Sequence, residues 1–296
     1  MRCIYCKFDK TIRCGYRRTK ERGKIQRYKC KRCNKKFIPD DGFKHRKKSP
    51  DFILENISLW LAGLTFRQLA QHFQISKNSC LDWVLSYADK VVRHWRKIKP
   101  GLSVKLHLDE LFLHMKNTFY YIWDSISAEN RFCTLHLEKR RGSREATSLI
   151  RDSPRALKIV TDGSFSYQTP VRGCFGTAWY HENFHQCVSF EDKKNNNLVE
   201  RLQNTLRRFL HPRRGFHRVD TGRKLLALYE IYLNFVRKHM ALGCSPAEKA
   251  GLIKYPGWIK TEKQRLDYLL KKAVFLLLRF STRILGHCLH SAFRKG

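Results

Sequence analysis

The chain has 296 residues, with 60 lysines and arginines against 25 aspartates and glutamates, a net charge of +35. A hydrophobic fraction of 42% is typical of a globular protein with a sizeable core and excludes a disordered basic tail. The charge predicts a polyanionic partner, and nucleic acid is expected because the neutralisation of phosphates releases counterions.

The N-terminus and the cysteines indicate the cellular compartment. Met1-Arg2-Cys3 opens into a cysteine motif without the apolar segment of a signal peptide. The longest apolar run, 273–278, is too short to cross a bilayer, so we expect no membrane partner. Four of the eleven cysteines form two tight pairs, which favours a reducing compartment over a disulfide framework. We therefore expect a cytoplasmic, nucleoid-associated protein.

Residues 1–42 are interpreted as a zinc ribbon. Two CxxC pairs each bring two thiolates onto one turn, and the segment between them is predicted to fold back as a hairpin. Four thiolates suit tetrahedral Zn²⁺, which would stabilise a segment too small and too charged to fold alone. Coincidence in a cysteine-rich chain is the alternative, and Cys14 has no partner pattern. The predicted ligands are Cys3, Cys6, Cys30 and Cys33.

Residues 51–96 have apolar side chains at helical spacing. Gly63 ends a first helix, Thr65 can cap a second over 66–73, and Ser76 can cap a third. Helix, short turn, helix is the helix-turn-helix arrangement, whose last helix enters a DNA major groove. An ordinary three-helix bundle remains the alternative. The residues expected to face DNA at the start of the third helix are Lys77, Asn78 and Ser79.

Residues 103–252 form the third predicted domain. Three segments with strand alternation and short connections predict an antiparallel meander, followed by a helix over 144–151 and a fourth strand at 157–162. A strong amphipathic helix follows over 196–210. This order is that of an RNase H-like fold, in which the first and fourth strands are neighbours. The fold class is therefore mixed α/β or α+β, with a zinc ribbon, a helical bundle and a mixed-sheet core.

Three carboxylates are the predicted catalytic residues of this domain. Asp109 lies inside the first strand, Asp162 at the end of the fourth, and Glu200 on the following helix. If the first and fourth strands are adjacent, these acids converge on one edge of the core. Two Mg²⁺ or Mn²⁺ ions held there could activate both oxygens of an in-line phosphoryl transfer. The alternative for Asp162-Gly163 alone is an ordinary turn.

Other acids compete for these roles. Glu110 adjoins Asp109 but is predicted to point to the opposite face of the strand, since side chains alternate. Asp124 in the second strand is expected to have a supporting role. Three further acids precede the amphipathic helix and could replace Glu200: Glu182, Glu191 and Asp192.

The amphipathic helix also carries candidate phosphate-binding groups. Glu200, Asn204 and an arginine pair share a polar face beside the apolar stripe, at i, i+4 and i+7. This spacing would place a metal ligand beside groups that can hold phosphates. The predicted DNA contacts here are Asn204, Arg207 and Arg208.

At this point the sequence resembles a known family. Asp109-Glu110 in a strand, "TDGSFSY" (161–167), "NNNLVERLQNTLRRFLHPRRGF" (195–216) and "YLNFVRKHMALGCSPAEKAGL" (232–252) are similar to motifs of DDE-type insertion-sequence transposases of the insertion-sequence-six and archaeal integrase-like kind. The resemblance implies a catalytic triad of Asp109, Asp162 and Glu200 that binds two Mg²⁺ ions. It also implies phosphate contacts from Arg213 and Arg214.

The same resemblance implies an activity and partners. These transposases cleave the ends of a mobile element and join the freed 3′-hydroxyl to target DNA. The expected partners are therefore double-stranded DNA, both the terminal inverted repeats and the target, and at least one further copy of the chain. A catalytically inactive, domesticated transposase that acts as a DNA-binding regulator is the alternative. Residues 253–296 exceed the usual family length and are interpreted as a basic helical extension that serves dimerisation or DNA clamping, with a lineage-specific or frameshifted tail without a role as the alternative.

Overall fold

The structure is a computed structural model. It describes residues 2–19, 22–38, 43, 48–115, 118–162, 164–175, 185–187, 197–213 and 215–274. Several residues named in the sequence interpretation lie outside these ranges: Gly163, Glu182, Glu191, Asp192, Arg214 and everything after 274.

The N-terminal segment is a small antiparallel sheet with its strands in the order β1-β2-β3. The two CxxC turns flank it, and each turn is followed by a residue in the left-handed region, Lys7 (φ 61°) and Asn34 (φ 57°). The turns close in the same way, since the Lys7 N–H donates to the Cys3 carbonyl (3.0 Å) and the Asn34 N–H to the Cys30 carbonyl (3.1 Å). The strands are β1 (Thr11–Thr19), β2 (Gly23–Cys30) and β3 (Lys36–Phe37).

Three helices follow, and their ends confirm the predicted capping. Gly63 ends the first helix with φ at 130°. The Thr65 side chain accepts from the Gln68 N–H and Gln68 returns the bond, a capping box. The Ser76 hydroxyl accepts from the Ser79 N–H (3.0 Å) at the start of the third helix. The helices are α1 (Pro50–Ala62), α2 (Phe66–Phe73) and α3 (Lys77–Trp95).

A five-stranded mixed sheet forms the centre of the molecule, with strand order β6-β5-β4-β7-β8. The first three strands in sequence form the predicted antiparallel meander, and β7 pairs in parallel with β4. The prediction that the first and fourth strands are neighbours is therefore confirmed. The strands are β4 (Ser103–Met115), β5 (Thr118–Ser127), β6 (Cys133–Glu138), β7 (Ala156–Thr161) and β8 (His185–Cys187).

Helices cover both faces of this sheet. Alternate residues of β4 divide between two cores: Leu106 and Leu108 pack with α4 and α5, whereas Leu111 and Met115 pack with α6 and α7. A 3₁₀ turn (His211–Arg213) follows α6, and a π-helical turn (Tyr232–Val236) follows α7. The helices are α4 (Ser143–Asp152), α5 (Phe165–Phe175), α6 (Asn197–Leu210), α7 (Val219–Ile231), α8 (Pro246–Lys249) and α9 (262–274).

The helical bundle and the sheet share one hydrophobic core, which includes residues of α1, α3, α6, α7 and α9. The Tyr87 hydroxyl donates to the Leu266 carbonyl (2.8 Å), and the Trp95 indole N–H donates to the Leu269 carbonyl (3.0 Å). The described part of the extension is therefore packed against α3 of its own chain, with Leu266, Leu269 and Leu270 buried. The described part of the apolar stripe therefore has a partner within its own chain, whereas the sequence interpretation assigned the stripe to assembly. Among the described residues, no helix is both long and apolar enough to span a membrane.

Candidate active site

Asp109 and Asp162 meet at the edge of the central sheet. The parallel pairing of β4 with β7 aligns His107 with Val160, so Asp162 comes beside Asp109 just after β7 ends. Carboxylate oxygens of these two residues and of Glu110 all lie within 4.8 Å of one another. The strand order places these distant acids in one cluster, as the sequence predicted for Asp109 and Asp162.

The position of Glu110 agrees with the prediction that it points to the opposite face of β4 from Asp109. Its side chain faces the α4–α5 side, where the Tyr167 hydroxyl donates to Glu110 Oε2 (2.6 Å). Nevertheless an oxygen of Glu110 reaches both aspartates. Because β7 ends at Thr161, no strand separates the two faces of the sheet beside Asp162, and a long side chain can approach it from the far face.

Arg141 provides the positive charge within this cluster. Its guanidinium pairs closely with Glu110 Oε1, and Nη2 lies 3.8 Å from Asp162 Oδ2. The Ser164 N–H donates to the other Asp162 oxygen (2.9 Å), which fixes the carboxylate at the strand end. The sequence interpretation missed Arg141 and Tyr167, because they come from a loop and a helix that only the folded sheet brings to Glu110.

Asp124 lies behind Asp109, directly opposite it in the β4–β5 pairing. Its side chain is fully buried, and the Gln203 amide donates to Oδ2 (3.3 Å). The other oxygen, Oδ1, has no hydrogen-bond partner among the described residues. A buried, half-satisfied carboxyl next to an acidic cluster is costly unless a proton or a cation compensates it.

Burial and mutual repulsion raise the pKa values of Asp109, Glu110 and Asp124. Burial raises the pKa of Asp109 to about 6, with further contributions from the Glu110 and Asp162 charges and opposition from the Glu110 N–H. Burial also raises the pKa of Glu110, against the effect of Tyr167 and Arg141. The pKa of Asp124 lies well above its usual range, because the group is buried and faces Asp109. The cluster therefore holds more acid than its protein surroundings can neutralise.

A divalent cation fits this arrangement. Mg²⁺ takes carboxylate oxygens at about 2.0–2.1 Å, so two ligand oxygens on one ion lie within about 4.2 Å of each other, comparable to the spread of this cluster. The donors are hard oxygens, and the Asp124 Oδ1 atom is an unpaired acceptor directly behind them. Asp109 and Asp162 could hold the ion together, while Glu110 already receives bonds on both oxygens.

Glu200 is not part of the cluster of three carboxylates. It is exposed in the first turn of α6, one turn before Gln203, the residue that reaches Asp124. Residues three apart share a helix face, so Glu200 lies on the flank of α6 that contacts this site. Gln203 marks the contact between helix and cluster, and the sequence interpretation assigned it no role.

The predicted DNA contacts on α6 differ in their surroundings. Arg207 and Asn204 are exposed and bonded to each other, with Arg207 Nη1 donating to Asn204 Oδ1 (3.0 Å). Arg208 is exposed on the other flank of α6, with Arg201 and Thr205.

The structure corrects the phosphate contact expected from Arg213. Its guanidinium donates to the carbonyls of Trp60 (2.6 Å) and Leu64 (2.9 Å) and to that of Phe209. It also stacks 4.0 Å above the Phe209 ring. Burial lowers its pKa to about 10. Arg213 therefore joins the end of α6 to the end of α1, and its donors are directed at the backbone.

The start of α3 is open to solvent. Lys77 and Asn78 are exposed, while Ser79 is half-buried and its hydroxyl bonds that of Ser76 (2.9 Å). Lys77 and Asn78 also line a groove of about 600 Å³ between the helices and the loop after α6, whose walls include Arg67 and Arg218.

The four predicted zinc ligands form a second candidate metal centre. Their sulfurs lie within 4.8 Å of one another, with Cys3 to Cys33 at 3.6 Å and Cys6 to Cys30 at 3.5 Å. Tetrahedral zinc with Zn–S bonds of about 2.3 Å requires S···S distances of about 3.8 Å. The backbone N–H groups of Tyr5 and Arg32 point at the Cys3 and Cys30 sulfurs, as suits thiolates. Cys14 is not in this cluster.

Comparisons with known proteins identify a domain that contains this site. Residues 103–239 match the family model of the DDE domain of IS240-type transposases. Residues 103–239 therefore form a DDE domain. The chain is also similar to the transposase for insertion sequence element IS257 in transposon Tn4003 and to that for the insertion sequence-like element IS431mec, both from Staphylococcus aureus. Each is 21% identical over 225 residues, which cover 71% of this chain and 97% of the relative.

Two solved structures similar to this chain have TM-scores below 0.5. The HTLV-2 integrase catalytic core domain in complex with magnesium aligns with 51% of this chain and 99% of its own, at 18% identity and a TM-score of 0.37. The simian T-cell lymphotropic virus intasome in complex with PP2A regulatory subunit B56 gamma covers 71% of this chain and 77% of its own, at 16% identity and a TM-score of 0.40.

Proposed function

We propose that this chain is an active DNA transposase that cleaves element ends and joins the 3′-hydroxyl to target DNA. The observation that carries the proposal is the meeting of Asp109 and Asp162 at one sheet edge, in a protein of net charge +35. A basic protein attracts the polyanion, and the acidic pocket is the place where cations can bring phosphate and carboxylate together.

We propose that Asp109, Asp162 and Glu200 hold two Mg²⁺ or Mn²⁺ ions. When bound, such ions would supply charge stabilisation for the attacking and leaving oxygens of an in-line displacement. Glu200 is exposed on the flank of α6 that carries Gln203, so a change of side-chain rotamer or a bound cation can bring it toward the aspartates. Glu110 is the alternative third acid, since it is already near both aspartates.

The surrounding side chains would hold this acid pair in place. Tyr167 and Arg141 fix Glu110, and Arg141 also approaches Asp162. Gln203 links α6 to Asp124 behind Asp109. Arg207 and Asn204, exposed on the same helix, would contact the phosphates that flank the reacting bond.

We further propose that the N-terminal regions bind DNA. The four cysteine sulfurs lie at distances that suit a structural Zn²⁺ ion. Lys77 and Asn78 are free to reach a major groove from the start of α3, as in a helix-turn-helix, with Ser79 beside them. The DNA partners would be terminal inverted repeats and target DNA, bound by a dimer or larger assembly at the nucleoid in the cytoplasm.

A strand-transfer assay tests the proposal. Oligonucleotides from the DNA flanking the reading frame would be incubated with the protein and Mg²⁺, and cleaved and joined products separated on a denaturing gel. We expect products with the wild type and none with Asp162→Asn, which should still bind the same DNA. Wild-type protein that binds the ends without producing either product would instead indicate the DNA-binding regulator.

A further inference from the structure

A cationic pocket lies on the flank of α6 opposite Glu200 and Gln203. It has a volume of about 400 Å³ and is bounded by α6, the β5–β6 turn and the segment after the π-helical turn. Among the residues that the structure describes, its walls carry five basic side chains and no carboxylate. We call it the arginine pocket; its basic residues are Arg131, Arg201, Arg208, Arg237 and His239.

Three of the guanidinium groups lack compensation. Within the described ranges, the side chains of Arg201, Arg208 and Arg237 make no hydrogen bond or ion pair. The Nδ1 atom of His239 is buried and also has no partner among the described residues. Guanidinium groups that converge without acids repel one another, and an anion in the pocket would relieve that repulsion.

Arg131 has neighbours that limit its role. It adopts a left-handed backbone conformation (φ 61°) at the β5–β6 turn, and its guanidinium donates to the Ala128 carbonyl. Glu129 is the nearby acid, but its oxygens accept from the hydroxyls of Ser103 and Ser127 and from the Lys105 N–H. Burial lowers the pKa of Arg131, and the positive charge of nearby Arg201 lowers it further. The pocket therefore keeps an excess of positive charge.

We propose that the arginine pocket binds backbone phosphates of DNA at a distance from the reacting bond. Arginine suits this task because its planar donors match phosphate oxygens. The pocket lies against the same helix as Glu200. Its lining residues Arg201, Thr205 and Arg208 are on the opposite side of α6 from Gln203. It would therefore hold a second stretch of the duplex, or a second duplex, while α6 faces the acids. This inference rests on the proposed function for its choice of DNA as the polyanion.

The test measures DNA binding without added Mg²⁺, so that it does not depend on cleavage. The variant Arg201→Gln/Arg237→Gln is compared with the wild type and with Arg151→Gln, which removes an exposed arginine from α4. Binding to a fluorescent duplex of arbitrary sequence is followed by anisotropy over a series of salt concentrations. Each lost phosphate contact should reduce the slope of log K against log salt by about 0.9, so the double variant should lose about 1.8.

Two further readouts decide between explanations. Thermal unfolding should show an unchanged or higher Tm for the double variant, because like charges have been removed. A lower Tm would give the arginines a structural role and overturn the proposal.

Inorganic phosphate is added in a parallel series. If phosphate stabilises the wild type alone while the DNA slope equals that of Arg151→Gln, the pocket binds a small anion and the DNA assignment fails.

The outcome is separable from the proposed function. A reduced salt slope in a protein that never cleaves DNA would support the arginine pocket and reject the transposase chemistry. An unchanged slope in a protein that cleaves normally would reject the pocket and leave the chemistry intact.

Discussion

Asp109 and Asp162 lie side by side on parallel strands, with carboxylate oxygens within 4.8 Å, although a meander and a helix separate them in sequence. The Asp109 position is unfavourable for a charge by itself, because burial within β4 raises the pKa of its carboxyl. Asp162 is exposed but shares its surroundings with the buried Glu110. Their coexistence indicates a place where a cation binds.

The third acid can be tested by substitution. We expect Glu200→Gln to reduce Mg²⁺-dependent cleavage at least about 10³-fold, because removing one member of a catalytic set has effects of that order. DNA affinity should stay within twofold of the wild type. The matched control is Glu145→Gln, which neutralises a half-buried acid on α4. If Glu200→Gln cleaves normally while Glu110→Gln does not, Glu110 is the third acid.

The acidic cluster should make stability depend on pH in a definite direction. The pKa of Asp109 is raised to about 6, so between about pH 4 and 6 the folded state keeps a proton that the unfolded chain releases. Without divalent ions, the free energy of unfolding of the wild type should therefore fall as pH rises through this window. The free energy of unfolding of Asp109→Asn should fall less. Glu110 and Asp124 act in the same direction.

Urea unfolding at about pH 4.5 and about pH 7, with and without Mg²⁺, measures this effect. Mg²⁺ should stabilise the wild type at the higher pH and have little effect on Asp109→Asn. The exposed Asp220→Asn serves as the control. Equal Mg²⁺ stabilisation of wild type and Asp109→Asn would show that the ion binds elsewhere.

Zinc binding can be tested at a single cysteine. Native mass spectrometry of reduced protein should show one bound zinc in the wild type and in Cys14→Ser, but none in Cys30→Ser. Cys30 is fully buried between the other three thiols, whereas Cys14 lies on β1 outside the cluster. Retention of zinc by Cys30→Ser would reject the four-sulfur site.

Asn234 should be a stability residue. Its side chain accepts from the Cys133 N–H (2.9 Å) and donates to the Cys133 carbonyl (2.7 Å), which completes the start of β6 inside the core. Asn234→Ala leaves two buried backbone groups unpaired and should cost about 2–4 kcal/mol of unfolding free energy. Chemical denaturation would measure it, with exposed Asn78→Ala as a control expected within about 0.5 kcal/mol. If Asn234→Ala lost less than about 0.5 kcal/mol of unfolding free energy, the range expected for the control, water would be satisfying the two Cys133 backbone groups in place of the amide.

The sequence was sufficient for many of the elements and for the pairing of the two aspartates, but it did not predict the helix α7 and it placed the start of α5 too late. Strand alternation in β4 to β6, the caps at Thr65 and Ser76, and the apolar stripe of α6 are local patterns, and each was confirmed. Adjacency of the first and fourth strands followed from the order of elements, and it brings Asp162 to Asp109.

Contacts between distant side chains could not be predicted in this way. Periodicity placed Glu110 on the far face, but the end of β7 leaves that edge open, and the length of the side chain decides the outcome. Arg213 stood in a basic motif that suggested phosphate binding, yet its position over Phe209 directs its donors to the carbonyls of α1. Both results depend on how elements pack, which no local pattern records.

The core shared by the three helices and the sheet has a geometric consequence. Arg213 reinforces it by joining α1 to the end of α6. The start of α3 and the aspartate pair are therefore set at a constant separation by packed side chains, with no flexible tether to vary it. A duplex bound at Lys77 would present the same phosphodiester to the acids in every complex. The number of base pairs between the bound sequence and the cleavage site would then be fixed by the fold.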